Sequence, residues 1–102
     1  MRNFLKTNSG ARSFRKSSQK IEFEYFAPDA QSVKVAGAFN EWNADALPLK
    51  KSRDGKWKGS VQLSSGRYEY RYFVDGLWEN DQRPVECVPN PFGTWNCVLE
   101  IR

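Results

Sequence analysis

The chain has 102 residues, 39% of them hydrophobic and 15% aromatic, with a formal net charge of +4. That length holds one domain around one core of a few large side chains, not two domains. No apolar run approaches the ~20 residues of a membrane-spanning helix. Histidine is absent and there are only two cysteines, which excludes Ser-His-Asp and Cys-His nucleophilic chemistry and a zinc site.

Charge is unevenly spread. Six of the 16 basic residues (Arg2, Lys6, Arg12, Arg15, Lys16 and Lys20) lie in the first 20 positions, where there is no acid. The remainder sets ten basic residues against all twelve acids, a net charge of −2. Residues 1–18 therefore read as a flexible basic leader, and residues 19–102 as the folded domain. The leader lacks the apolar centre of a secretory signal. A cytoplasmic location is expected, or an organellar one if this Arg- and Ser-rich leader is a transit peptide.

From Ile21 onward the pattern has period two. Ile21, Phe23 and Tyr25 alternate with Glu22 and Glu24, as in a half-buried strand. Pro28-Asp29 ends it. Val33 and Val35 bracket Lys34 in a second short strand. Gly37 to Leu47 reads as a long loop, and Leu47-Pro48-Leu49 starts an edge-like piece. Arg53-Asp54-Gly55-Lys56 is a hairpin turn signal. Trp57, Gly59, Val61 and Leu63 then share one strand face.

After the turn Ser64-Ser65-Gly66, Tyr68, Tyr70, Tyr72 and Val74 share a face, with Arg67, Glu69, Arg71 and Phe73 on the other. Asp75-Gly76 turns the chain again. A last strand puts Trp95, Cys97, Leu99 and Ile101 on the core parity. Trp57 and Trp95 are accordingly expected in the core. Short strands with turns at this spacing predict an all-β, immunoglobulin-like antiparallel β-sandwich. Cys87 and Cys97 flank a nine-residue loop that a disulfide is able to close. Two free thiols are expected, because nothing signals an oxidising compartment.

Two tryptophans stand apart from any apolar run. Trp42 closes Gly37-Ala38-Phe39-Asn40-Glu41-Trp42, and Trp78 follows the turn Val74-Asp75-Gly76-Leu77. Loops run over the surface, so both indoles are expected to be exposed. With Phe92 they suggest a platform of flat rings. Arg71, Thr94 and Asn96 add a cation, a hydroxyl and an amide. Rings that cover C–H faces and polar groups that meet hydroxyls suit a sugar chain. The carboxylates Asp75, Glu79 and Asp81 sit in turns of a small domain with no deep cleft to raise one pKa, so no catalysis is expected of them.

Three segments carry a resemblance to a known family. They are Gly37-Ala38-Phe39-Asn40-Glu41-Trp42, Tyr70-Arg71-Tyr72-Phe73-Val74-Asp75-Gly76-Leu77-Trp78 and Pro89-Asn90-Pro91-Phe92-Gly93-Thr94-Trp95-Asn96. Together they resemble the glycogen-binding domain of AMP-activated protein kinase β subunits and the early-set domains at the N-termini of isoamylases and glycogen-branching enzymes. These form carbohydrate-binding module family 48, whose ligands are α-1,4/α-1,6 glucans. The resemblance covers about residues 20–102.

The resemblance implies roles for six residues. Trp42 matches the family tryptophan that stacks on glucose. Arg71 matches a basic residue that contacts hydroxyls, a lysine in the kinase module. Trp78 matches the second tryptophan, and Phe92 a large apolar residue that is leucine in the kinase module. Thr94 and Asn96 match the polar pair that follows.

The expected function is thus a non-catalytic module without cofactor or metal. Its expected partners are α-glucan (glycogen, starch or maltooligosaccharide) and a glycogen-metabolising enzyme. The alternative is a protein-interaction or scaffold domain of the same fold. Nucleic acid is disfavoured because phosphate binding needs positive charge, and no membrane partner is expected.

Overall fold

The computed structural model describes residues 18–102. The expected leader, residues 1–18, lies outside the described residues except for its last position. Two antiparallel sheets pack as a sandwich. The first has three strands in the order β1 (Gln19–Phe26), β4 (Lys56–Leu63), β3 (Lys50–Lys51). The second runs β2 (Val33–Gly37), β5 (Gly66–Val74), β8 (Trp95–Ile101), β7 (Cys87–Pro89), with β6 (Leu77–Glu79) also paired to β5. Two single-turn 3-10 helices, Ala38–Asn40 and Ala44–Ala46, lie within the expected long loop. The short strands β6 and β7 are additions to the sequence reading.

The core follows the alternation. Phe23 and Tyr25 of β1 face Tyr70 and Tyr72 of β5, and all four are buried. Phe23 meets Tyr70 edge-on at 5.4 Å between ring centroids, and Tyr25 lies 4.8 Å from Tyr72. Val33, Val35, Leu49, Trp57 and Cys97 complete the cluster. Large rings give a small domain much buried area per residue, but buried hydroxyls need partners. Tyr70 donates to the Asp81 carboxylate at 2.6 Å, and Tyr72 to the Glu24 carbonyl at 3.1 Å. The Trp57 indole N–H donates to the Ala27 carbonyl.

Trp95 corrects the sequence reading: it is 53% exposed and not part of the core. Its parity is that of Cys97, which is fully buried. However, the pairing of β5 with β8 begins at Tyr70–Cys97, two residues further along. Among the described residues, Trp95 pairs with Pro89 of β7 alone. Alternation tells which face a side chain takes, and not whether neighbouring strands reach that far to flank it.

Candidate functional site

The site grows from the outer face of β5. Arg67, Glu69, Arg71 and Phe73 alternate with the buried tyrosines and so point away from the core. Ala36 of β2 is the register partner of Arg71, and Val98 of β8 that of Glu69. Arg67, Glu69 and Arg71 of this row form the floor of a groove, and three loops build its walls.

The first wall follows β2. Gly37 is needed by close approach: a Cβ there would sit 2.5 Å from the Glu69 carbonyl oxygen and 2.8 Å from Phe39 and Tyr70 carbons. Asn40 then folds the loop back, accepting from the Gly37 N–H at 3.0 Å and donating to the Val35 carbonyl at 3.2 Å. Trp42 N–H closes the turn on the Gly37 carbonyl. Glu41 and Trp42 both take left-handed backbone, at φ 56° and 59°. That conformation is unfavourable for a bulky side chain, and strain of this kind concentrates where a side chain must be aimed.

The second wall is the β5–β6 hairpin. Asp75 and Gly76 have φ of 49° and 84°, the pattern of a two-residue type I′ turn. The Asp75 carboxylate accepts the N–H groups of Gln31 and Ser32, each at 2.9 Å, and so anchors the turn. The register sets Trp78 opposite Phe73, whose ring supports the indole at 4.7 Å. Trp42 and Trp78 are 38% and 42% exposed.

The third wall is the loop between β7 and β8, organised by Asn90. Its side-chain oxygen accepts from the N–H groups of Phe92 and Thr94 and from the Thr94 hydroxyl. Its amide donates to Thr94 Oγ1 at 2.8 Å and to Asn96 Oδ1 at 2.9 Å. Phe92 stands on the rim, almost fully exposed. Asn96 is buried and also donates to Glu69 Oε1 at 3.0 Å. Arg71 donates to Thr94 Oγ1 at 3.2 Å and to the Trp78 carbonyl at 3.5 Å. The Arg71 Nε is buried and has no hydrogen-bond partner among the described residues.

Trp42, Arg71, Trp78, Phe92, Thr94 and Asn96 all line this one open groove of about 1100 Å³. Ala38, Arg67, Glu69, Asn90 and Pro91 line it too, and the sequence reading had not singled them out for this. Outward parity on β5 was a usable signal for Arg67 and Glu69. Asn90 had one as well, because Asn two residues before another turn residue commonly accepts backbone N–H groups. Two of the three carboxylates considered for catalysis, Asp75 and Asp81, are engaged elsewhere. Asp75 anchors its turn, and the buried Asp81 carboxylate accepts from the core Tyr70 hydroxyl and from the exposed Arg83. Burial would raise the Asp81 pKa. The hydrogen bonds from Arg83 and Tyr70 more than offset this and hold it below the usual carboxylate range.

Residues 9–93 match the family described as carbohydrate-binding module 48, the isoamylase N-terminal domain. The chain belongs to that family. Carbohydrate-binding module 48 has the early-set, immunoglobulin-like sandwich seen here. Among similar proteins are 5′-AMP-activated protein kinase subunit beta-1 of Bos taurus, 34% identical over 73 residues, and subunit beta-2 of Homo sapiens, 33% identical over 73 residues. Each match covers 71% of this chain and 25% of the relative. The chain thus aligns with about a quarter of the length of these kinase subunits. No helix among the described residues is long and apolar enough to cross a membrane.

Proposed function

We propose that this carbohydrate-binding module 48 domain binds α-1,4/α-1,6 glucan, as glycogen, starch or maltooligosaccharide, in the Trp42/Trp78 groove without catalysing a reaction on it. The observation that carries this reading is the pair of partly exposed indoles inclined at 69° over a polar floor. Their faces offer stacking surfaces at an angle, which a curved α-linked chain is able to follow and a flat β-1,4 chain is not. Sugar C–H groups carry slight positive charge and are drawn to the negative ring faces.

The floor supports the same reading. Arg71 is half-buried and lines the groove, so its guanidinium is able to donate to a sugar hydroxyl oxygen. The Thr94 hydroxyl has one donor and two acceptor sites, and its three hydrogen bonds, one with Arg71 and two with Asn90, use them all. Its part is to hold Arg71 and Asn90 in place, and a glucan hydroxyl reaches it only by displacing one of them. Asn96 is similarly committed to Glu69 and Asn90, so it orients the floor more than it offers a free amide. Phe92 covers the outer end of the chain.

An open groove leaves many hydroxyls hydrated, so affinity is modest. It lies between roughly 10 μM and 1 mM, or about −4 to −7 kcal/mol. A glycogen-metabolising enzyme is the partner class that such a module would serve. The test is calorimetry with maltoheptaose and cellohexaose, followed in parallel by tryptophan fluorescence. Maltoheptaose binding that is insensitive to salt, with little binding of cellohexaose, supports the proposal. Equal binding of both sugars, or none of either, overturns it.

A further inference from the structure

Beside the groove, Cys87 of β7 and Cys97 of β8 are register partners. Both are free thiols, Cys87 exposed and Cys97 buried. The Val98 N–H donates to the Glu86 carbonyl at 2.8 Å, which makes Glu86/Val98 the hydrogen-bonded pair of this ladder. Cys87/Cys97 is therefore the adjacent non-hydrogen-bonded pair, where Cα atoms stand about 4.5 Å apart and side chains lie closest. A disulfide accepts Cα separations of about 4.4–6.8 Å. The two thiols are thus within bonding reach with little backbone movement.

Their surroundings divide the labour. Cys87 lies on an edge strand open to solvent. Cys97 is held from inside by the Asp81 N–H, which donates to its sulfur at 3.2 Å. Burial pushes the Cys97 thiol up, and the neighbouring Cys87 adds to this. The exposed sulfur is the one that an external reagent meets first, and the buried one waits beside it.

We propose that Cys87 and Cys97 form a reversible dithiol–disulfide site that closes the loop lining the groove. The oxidant is a low-molecular-weight disulfide such as oxidised glutathione. The Cys87 thiolate attacks one of its sulfurs, forming a mixed disulfide and releasing one small thiolate. Cys97 attacks Cys87 Sγ as its proton passes to the leaving small thiolate, which departs as the second small thiol. Two protein thiols are oxidised and one small disulfide is reduced. The new bond staples the base of the hairpin that carries Asn90, Phe92, Thr94 and Asn96. A loop already ordered loses less freedom when a ligand binds.

The full chain is incubated in reduced or oxidised glutathione, alkylated under denaturing conditions, and weighed by mass spectrometry. Two alkyl adducts are expected in the reduced buffer. In the oxidised buffer none is expected, with a mass two hydrogens lower and no glutathione attached. C97S should stop at a glutathione adduct on Cys87, and C87S should stay unmodified while folded. The oxidised form should melt about 5 °C or more above the reduced form. A persistent glutathione adduct on the wild type, disulfide-linked dimers, or equal reactivity of C87S overturns the site. A further arm rests on the glucan reading: maltoheptaose affinity should rise about two- to fivefold on oxidation. A disulfide that forms without changing a measurable affinity overturns the coupling alone. Absent maltoheptaose binding in both forms refutes the glucan reading and leaves the mass and melting results to judge the disulfide.

Discussion

Trp42 and Trp78 meet edge to face, with ring centroids 6.3 Å apart and planes inclined at 69°. The two arrive from opposite directions. Trp42 hangs on a loop with left-handed backbone, and Trp78 stands on a register-locked hairpin strand. Neither is an anchor of the core, so each can be removed without opening a large cavity. Trp42→Ala or Trp78→Ala should each weaken maltoheptaose binding by about 2 kcal/mol or more, roughly thirtyfold, as aromatic anchors do. Calorimetry of the folded variants checks this. Unchanged affinity after loss of both rings would remove the groove from consideration.

Trp57 and Trp95 should part company in stability. Trp57 is buried and hydrogen-bonded to the Ala27 carbonyl, so Trp57→Ala is expected to cost about 3–5 kcal/mol. Trp95 is more than half exposed, and Trp95→Ala should cost less than about 1.5 kcal/mol in denaturant titrations. Equal losses would show that Trp95 packs as its strand parity suggests.

Asn90 tests whether the third wall must be held in shape. Asn90→Ala leaves the Thr94 hydroxyl and the Phe92 and Thr94 N–H groups without their shared acceptor. The loop should lose order, and maltoheptaose affinity should fall about three- to tenfold. The tryptophan pair should keep its fluorescence signature. Backbone NMR order parameters across Asn90–Asn96 distinguish a loosened loop from an unfolded domain. An ordered loop with full affinity would show that Asn90 is dispensable.

Asp81 gives the domain an acid-sensitive element. Its carboxylate is buried, accepts from Tyr70 and Arg83, and has a pKa held below the usual range. A folded-state pKa below the unfolded one adds stability that is present above about pH 4. That stability is lost as pH falls through the folded-state value. Asp81→Asn should therefore cost about 2 kcal/mol at neutral pH, in the range for hydrogen bonds to charged groups. The gap in melting temperature between wild type and variant should close as pH drops below 4. A gap that is constant with pH would contradict this assignment.

Tyr70→Phe should separate the ring from the hydroxyl. The ring keeps its contact with Phe23, but the buried Asp81 carboxylate loses a 2.6 Å donor. A cost of about 1–3 kcal/mol is expected, the price of an undersatisfied buried acceptor. Chemical denaturation of the variant measures it, and a change under 0.5 kcal/mol would mean that water replaces the hydroxyl.

Strand alternation by itself determined the sandwich class, the buried Phe23, Tyr25, Tyr70 and Tyr72, and the outward row that includes Arg71. A two-residue period needs no knowledge of partners, since each residue simply faces one side or the other. Loop and turn signals likewise marked Trp42 and Trp78 as exposed, because Gly37 to Leu47 lacks strand alternation, Asp75-Gly76 dictates a reversal, and loops run over the surface. Only the tertiary structure decided where β5 stops pairing with β8, which left Trp95 in solvent despite its parity. It also decided that Asn96 is buried, that Asn90 organises its loop, and that Cys87 and Cys97 are opposite partners. Those outcomes depend on register and strand length between segments far apart in the chain. Such pairings are set by the sum of many weak contacts and not by any local pattern.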